Sequence, residues 1–215
     1  MLPEVYRLLT VIFAVFWLGS AQASPTTDYS GANINVPDGE VCQPDDVVSA
    51  IKGQLLVAPV DLNVRGLADR IPLQLDDVGS HGETRVGKDG KPKFHAGTDL
   101  LADENEPVLA VADGLVVVEG RDHEVLGNYV ILRVLVTLPP LKACVNDFLY
   151  AHLAETAGQQ GKEVTAGTML GRVGRTGNVA GTPTHLHIEY WTRSYLSGEQ
   201  NRRDWTRDLM DLFSW

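Results

Sequence analysis

The chain has 215 residues, 44% of them hydrophobic, which suffices for one domain with a core and short appendages. Its formal net charge of −10 at pH 7 argues against nucleic acid as a partner, because such binders neutralise phosphates with basic side chains. The same charge argues against tight electrostatic adhesion to anionic polymers or lipids.

The first segment, residues 1–23, has the features of a secretory signal peptide. An almost wholly apolar run at 8–18 follows Arg7 and precedes an Ala-Gln-Ala sequence that ends at Ala23. The run is too short for a comfortable membrane span, which needs about 20 residues. We predict cleavage after Ala23 and an exported protein, periplasmic or secreted, without a membrane span after cleavage. Because Glu4 offsets Arg7, an uncleaved anchor is the alternative.

Residues 24–54 are polar and rich in turn-forming residues, so we expect a loosely ordered N-terminal segment. Within it, residues 45–51 predict a short helix, with Asp45 or Asp46 as its cap.

Residues 55–195 are predicted to form the main domain. Short β-branched runs, such as those at 115–118, 128–132 and 169–173, alternate with glycine turns. This pattern is typical of an antiparallel β-sheet or sandwich, so the fold class is predicted to be mainly β. The segments 106–117 and 161–171 each predict a strand, a tight turn and a strand, the hairpin unit of lipoyl-like barrels.

The tail, residues 196–215, has apolar residues at helical spacing, and we predict a short C-terminal helix docked on the sheet. A tail that binds a partner is the less favoured alternative. The residues that carry the pattern are Trp205, Leu209, Leu212 and Phe213.

Four of the six histidines and one aspartate fall in three short motifs. His95 and Asp99 lie in H-A-G-T-D, His152 in Y-A-H-L, and His185 and His187 in T-H-L-H-I-E. Two imidazoles and a carboxylate with an open fourth position make a catalytic zinc site. The remaining two histidines would then be free to act as acid, base or oxyanion donor.

The spacing within these motifs allows the residues to converge. Alternating polar and apolar residues place His185 and His187 on one face of a strand, roughly 7 Å apart. On a straight strand His95 and Asp99 would be about 13 Å apart, too far to share an ion. Gly97 lies between them and is expected to allow the bend that brings both to the metal.

The segment from about Gly79 to Trp191 resembles the lysostaphin-type (LytM-like) zinc endopeptidases, which cut peptidoglycan cross-bridges or stem peptides. The resemblance implies that His95, Asp99 and His187 are the zinc ligands and that His152 and His185 are the catalytic histidines. It also implies peptidoglycan as the substrate and water as the nucleophile, with the roles of His152 and His185 left open. The motifs that carry the resemblance lie at residues 87–99, 106–117, 127–132, 149–153, 171–177 and 181–189.

Two other classes of function remain as alternatives. A non-catalytic cell-wall regulator would keep the fold and activate a separate amidase, but relatives of this kind usually lack several of the five residues. A carrier module of the lipoyl type is weaker, because Lys162 is not flanked by the expected Asp or Met.

The stretch 133–147 is longer than the hairpin usual in such domains, and we expect it to affect one wall of the groove. Cys144 lies in it, and in an exported protein the even cysteine count predicts a disulfide to Cys42, with two separate thiols as the alternative.

Five further residues have a weaker prediction. Glu189 either orients a ligand imidazole or is a surface carboxylate. Tyr150 shares the predicted face of His152 and is a candidate to line the groove. Arg85 is expected to give structural support. His81 is interpreted, like His123, as a surface histidine.

Overall fold

The computed structural model describes residues 42–52, 54, 56–60, 78–138, 142–197 and 201–213. The predicted signal peptide lies outside these ranges, so its cleavage stays a prediction. Within them, no helix is long and apolar enough to cross a membrane.

Strands make up most of the regular structure, as predicted. Two short α-helices flank them: α1 (Pro44–Lys52) and α2 (Arg202–Trp205). The strands are β1 (Gly82–Val86), β2 (Pro92–His95), β3 (Thr98–Leu101), β4 (Pro107–Leu109), β5 (Gly114–His123), β6 (Gly127–Leu138), β7 (Lys142–Thr156), β8 (Glu163–Val164), β9 (Met169–Val173), β10 (His185–Trp191) and β11 (Thr206–Arg207).

Nine of the described strands form one antiparallel sheet in which the order β11–β10–β7–β6–β5–β8 is continuous. β3 joins through β10, and β9 pairs with both β4 and β7. β1 and β2 form a separate two-stranded hairpin. The predicted mainly β, antiparallel class is confirmed, and the runs predicted at 115–118, 128–132 and 169–173 lie within β5, β6 and β9.

The two predicted hairpin units differ from expectation in how their strands pair. Each contains two short strands, but β4 pairs with β9 and β5 pairs with β8, so the units interlock. The Asp113 carboxylate, in the turn of the first unit, accepts a hydrogen bond from the Ala166 N–H in the turn of the second. Pairing between the two units buries apolar side chains of both units in the main core.

Both faces of the central strands are buried. On β7, Phe148 and Tyr150 point into the main core, whereas Leu149 and Ala151 belong to a smaller cluster on the opposite face. This reflects the two-residue repeat of a strand, which sends successive side chains to opposite faces. Because both faces are covered, the sheet forms a rigid support for side chains at its edge.

The N-terminal helix α1 packs on the main core through Val47 and Ile51. The predicted cap is wrong: the helix begins at Pro44, and Asp45 and Asp46 lie in its first turn. Proline suits the first helical position, and carboxylates in the first turn are favourable beside the positive end of the helix dipole. Residues 44–52 are therefore a helix anchored on the core, in a segment expected to be loosely ordered.

The predicted disulfide between Cys42 and Cys144 is present, with Cα atoms 6.0 Å apart. It joins the chain just before α1 to the hairpin of β6 and β7, which contains the long stretch 133–147. That stretch extends the main core beside α1, through residues such as Val134 and Val136.

The C-terminal tail is not the single helix predicted. It contains 3₁₀ turns at Tyr195–Ser197 and Leu209–Leu212, with α2 and β11 between them. β11 pairs with the end of β10, which interrupts any continuous helix. The predicted docking does occur, because Leu209 and Leu212 are buried in the main core.

Candidate metal centre and active-site groove

Strand β10 places the site, because it carries His185 and His187 and lies between two strands that bear the other motifs. His187 is directly opposite Asp99 of β3 on one side and opposite Ala151 of β7 on the other. His152 follows Ala151, so cross-strand pairing brings three of the motif segments to one place. Directly opposite residues have Cβ atoms about 4.5–5.5 Å apart, which is contact distance for imidazole and carboxylate groups.

Gly97 provides the space that the predicted convergence of His95 and Asp99 needs. A Cβ atom at this position would lie 2.5 Å from the Ile188 carbonyl oxygen and 2.7 Å from Cε1 of His187. The glycine thus lets the connection between β2 and β3 pass directly over β10. Its contribution is the absence of a side chain at this crossing.

His152 reaches the site through an irregular backbone conformation. It has a φ of 64°, in the left-handed region that residues other than glycine rarely adopt. The pairing of β7 with both neighbours shifts register around this point. Such bulges re-aim a side chain, and this one turns His152 into the groove. Tyr150 was expected to share the face of His152, but its hydroxyl accepts a hydrogen bond from the Val111 N–H in the core.

Three potential ligand atoms form a compact triangle. Nδ1 of His187 lies 2.7 Å from Oδ1 of Asp99 and 3.1 Å from Nε2 of His95, and the third side measures 3.3 Å. Tetrahedral zinc with bonds of about 2.0–2.1 Å to nitrogen and oxygen separates neighbouring ligand atoms by about 3.3 Å. The donor set, two imidazoles and a carboxylate, and its spacing therefore fit zinc. All three residues are buried.

The second nitrogen of each imidazole has a hydrogen-bond acceptor, which defines the tautomer. Nδ1 of His95 donates to the Ser80 carbonyl at 2.9 Å, so Nε2 is the atom that can bind an ion; in the absence of one it lies 3.0 Å from the Arg85 guanidinium. Nε2 of His187 donates to Oε1 of Glu189 at 3.2 Å, so Nδ1 is the atom that can bind an ion once it loses its proton. Acceptors of this kind fix the ring orientation of a metal-binding histidine.

Asp99 is arranged to offer one oxygen. Its Oδ2 accepts a hydrogen bond from Arg85, while Oδ1 faces His95 and His187. Burial alone would raise the pKa of Asp99, but hydrogen bonds from His187 and His95 outweigh it and hold the pKa well below its usual range. Arg85 also donates to the Val78 carbonyl, so it supports both the carboxylate and the loop before β1.

Glu189 is not the surface carboxylate of the second alternative, because it is buried and contacts His187. Besides His187, it accepts hydrogen bonds from Nε1 of Trp191 at 2.7 Å and from Arg202 at 3.1 Å. Burial opposes protonation of His187, but the carboxylates of Asp99 and Glu189 overcome it and raise the pKa of His187 to about 9. An ion that binds Nδ1 must displace this proton.

His152 and His185 flank the triangle, with ring centroids 5.2 Å apart. Nδ1 of His152 donates to the Thr176 carbonyl, and Nδ1 of His185 donates to the Pro183 carbonyl. Each ring therefore presents an Nε2 lone pair. Burial, and then the neighbouring His187 and His185, lower the pKa of His152 to about 4, so it is neutral at pH 7 and able to accept a proton.

All five residues line one groove of about 510 Å³. Within the stretch 133–147, the described residues 133–138 and 143–147 do not line it, contrary to the expectation that they affect one wall. The remaining lining residues are Val78, Gly79, Arg85, Val86, Lys93, Phe94, Ala96, Leu101, Val125, Leu126, Asn178, Val179, Thr182, Pro183, Glu189 and Arg202.

The sequence did not predict that Arg202 lies beside the site. Arg202 begins a short helix in the tail, and no sequence pattern links it to the histidine motifs. The prediction that His81 is a surface histidine does not hold. His81 is half-buried, and its Nε2 lies 2.9 Å from the Thr206 hydroxyl. His123, by contrast, is exposed, as predicted.

A three-residue candidate metal site beside two further imidazoles is the arrangement found in metal-dependent hydrolases that activate water. Comparison with protein-family models is more specific. The model of Peptidase family M23 matches residues 93–201, and the chain belongs to this family. The match includes all five site residues and ends immediately before α2.

Curated relatives of the chain include proteins named as peptidoglycan DD-endopeptidases and as DD-carboxypeptidase/endopeptidases. The chain is 34% identical over 101 residues to the peptidoglycan DD-endopeptidase ShyA of Vibrio cholerae, covering 46% of this chain and 20% of that protein. It is 37% identical over 97 residues to the DD-carboxypeptidase/endopeptidase Mpg of Neisseria meningitidis, covering 45% and 20%. The chain thus spans about a fifth of the length of these relatives.

Similar solved structures include the catalytic domain of the antimicrobial peptidase lysostaphin from Staphylococcus simulans. That structure has a TM-score of 0.46 and 24% identity, covering 61% of this chain and 86% of that chain. A zinc-containing peptidase from Vibrio cholerae has a TM-score of 0.47 and 24% identity, covering 63% and 35%.

Proposed function

We propose that the protein is an exported zinc-dependent endopeptidase that hydrolyses amide bonds in the peptide cross-links or stems of peptidoglycan. His95, Asp99 and His187 would hold the ion, and His152 and His185 would be the catalytic residues. The observation that carries the proposal is the triangle of ligand atoms with the imidazoles of His152 and His185 beside it. A regulator that only activates another enzyme would not need this complete set.

The proposed substrate class follows from the relatives, whose names describe peptidoglycan DD-endopeptidases. The groove has a volume of about 510 Å³, which is room for part of a peptide beside the site. Among its charged lining residues, three cations outnumber two carboxylates, whereas the whole chain carries −10. A locally positive cleft attracts the carboxylates of peptidoglycan peptides.

When bound, zinc supplies Lewis-acid chemistry: it lowers the pKa of a water ligand towards about 7 and polarises the scissile carbonyl. The Nε2 atom of His152 or His185 accepts the proton that leaves the attacking water. The partner ring, in its protonated imidazolium form, donates from Nε2 to the oxygen on which negative charge develops. The C–N bond then breaks, the accepted proton passes to the leaving amine, and the products are one carboxylate and one amine.

The backbone carbonyls of Thr176 and Pro183 hold these two imidazoles in place. Each carbonyl fixes one tautomer, so both rings can accept a proton at Nε2 without first rotating. Because water is the nucleophile, no serine or cysteine takes part and no acyl-enzyme forms.

The test is hydrolysis of purified cross-linked peptidoglycan by the purified protein. We expect a chelator to abolish hydrolysis, added zinc to restore it, and reagents directed at serine or thiol groups to leave it unchanged. Full hydrolysis after complete removal of metal would contradict the proposal. Zinc loading without hydrolysis, together with stimulation of an added amidase, would favour the regulator.

A further inference from the structure

Glu189 is a carboxylate in an unusual position, with a side chain only 1% exposed and in contact with the proposed ligand His187. A buried carboxylate is stable only when charge partners and hydrogen bonds replace its lost hydration. Trp191 donates to Oε2 at 2.7 Å, and His187 and Arg202 donate to the same oxygen, Oε1, at 3.2 and 3.1 Å. These three donors come from two different parts of the chain.

The charges of the three donors are not equivalent. A histidine that binds a metal ion through Nδ1 is a neutral donor at Nε2, and an indole N–H is also neutral. Arg202 is then the only cation in direct contact with Glu189 among the described residues. Without Arg202, Glu189 would be a buried anion supported by neutral donors alone, and its carboxylate would be expected to turn towards water and away from His187.

The backbone of Arg202 is tied to β10. Its carbonyl accepts hydrogen bonds from the hydroxyl and N–H of Thr206, and Thr206 pairs with Trp191 of β10. Thr192 donates to the Trp205 carbonyl through both its N–H and its hydroxyl. α2 is thus fixed to the strand that carries His187, which keeps the base of the Arg202 side chain beside Glu189.

We propose that Arg202 is a positioning residue for the metal site: acting through Glu189, it holds His187 in its metal-binding orientation and so increases the affinity of the protein for zinc. The inference rests on the proposed role of His187 as a ligand. Arg202 lies one residue beyond the part of the chain that matches the family, so this support comes from the C-terminal segment of this protein.

The test measures zinc affinity by competition with a chromophoric chelator, in the absence of any peptidoglycan. Loss of a group that orients a metal-bound histidine typically weakens affinity about 10–100-fold. We expect Arg202→Gln to weaken zinc binding at least about tenfold. Arg202→Lys retains a cation without the planar fork and should lie between the two proteins.

The matched control is Arg203→Gln, which removes the same charge from the next position of α2. Arg203 pairs with the exposed Glu83 and does not contact Glu189, so zinc affinity should remain within about twofold of the parent. In a Glu189→Gln background, Arg202→Gln should add less than about twofold, because the two side chains act as one unit. This comparison and the lysine variant keep the test decisive if Arg202→Gln alone folds poorly.

Several results would overturn the inference. Unchanged zinc affinity in Arg202→Gln would do so, and so would equal weakening by Arg203→Gln. A raised KM with unchanged zinc affinity would mean that Arg202 contacts substrate instead. Failure of the parent protein to bind zinc would overturn both this inference and the proposed function, whereas zinc binding without hydrolysis would contradict the proposed function alone.

Discussion

The disulfide between Cys42 and Cys144 is expected to stabilise the fold without taking part in the chemistry. The two cysteines are 102 positions apart, so reduction frees a long loop in the unfolded chain. For a loop of this length, the chain-entropy model gives a stabilisation of about 4.7 kcal/mol at 25 °C. This is an upper value, because residual structure in the unfolded chain reduces it.

The perturbation is the Cys42→Ala/Cys144→Ala double variant, compared with the parent in the presence and absence of reductant. Urea unfolding should show a loss of about 2–5 kcal/mol in the free energy of unfolding, and the parent should approach the variant when reduced. Zinc binding and hydrolysis at 25 °C should be retained, because neither cysteine lines the groove. An unfolding midpoint that reductant leaves unchanged, or loss of zinc from the folded variant, would refute this reasoning.

Three further outcomes follow from the site and its supports. First, His187→Ala should lose zinc, whereas His152→Ala and His185→Ala should retain zinc and lose turnover. The measurement is metal analysis of each purified variant together with its activity. Full zinc content in His187→Ala would mean that the ligand assignment is wrong. Second, because the pKa of His187 is raised to about 9 before an ion binds, zinc must displace a proton below that pH. Zinc affinity should therefore rise about tenfold per pH unit up to about pH 9, with about one proton released in calorimetry at pH 7.5, and a pH-independent affinity would contradict it. Third, Arg133→Met should cost about 3–5 kcal/mol in unfolding free energy, because it leaves the fully buried Asp147 without its ion-pair partner. Arg172→Met, which removes an exposed ion pair with Glu155, should cost less than about 1 kcal/mol, and equal losses would refute the third prediction.

The features that the sequence predicted correctly are those set by local periodicity. Alternation in T-H-L-H-I-E places His185 and His187 on one face of β10, because a strand repeats every two residues. The mainly β class follows in the same way from short β-branched runs between turns. The pairing of Cys42 with Cys144 was also predictable, because these are the only two cysteines in the chain.

The features that the sequence did not predict depend on long-range packing. The left-handed conformation of His152 separates it from Tyr150, and no local pattern marks such a bulge. The interlocked pairing of β4 with β9 is a choice between equally plausible partners, which only burial of the core decides. Arg202 is brought beside Glu189 by the pairing of β11 with β10, and the two-residue strand β11 is too short to be predicted from its sequence.

The most direct measurement of the central claim is mass spectrometry of muropeptides after purified peptidoglycan is digested by the zinc-loaded protein. We expect new fragments that each differ from the cross-linked parent by one added water across an amide bond, formed by the parent protein and absent with His152→Ala and His185→Ala. Cleavage at glycan bonds, or an unchanged muropeptide profile with fully zinc-loaded protein, would contradict the account.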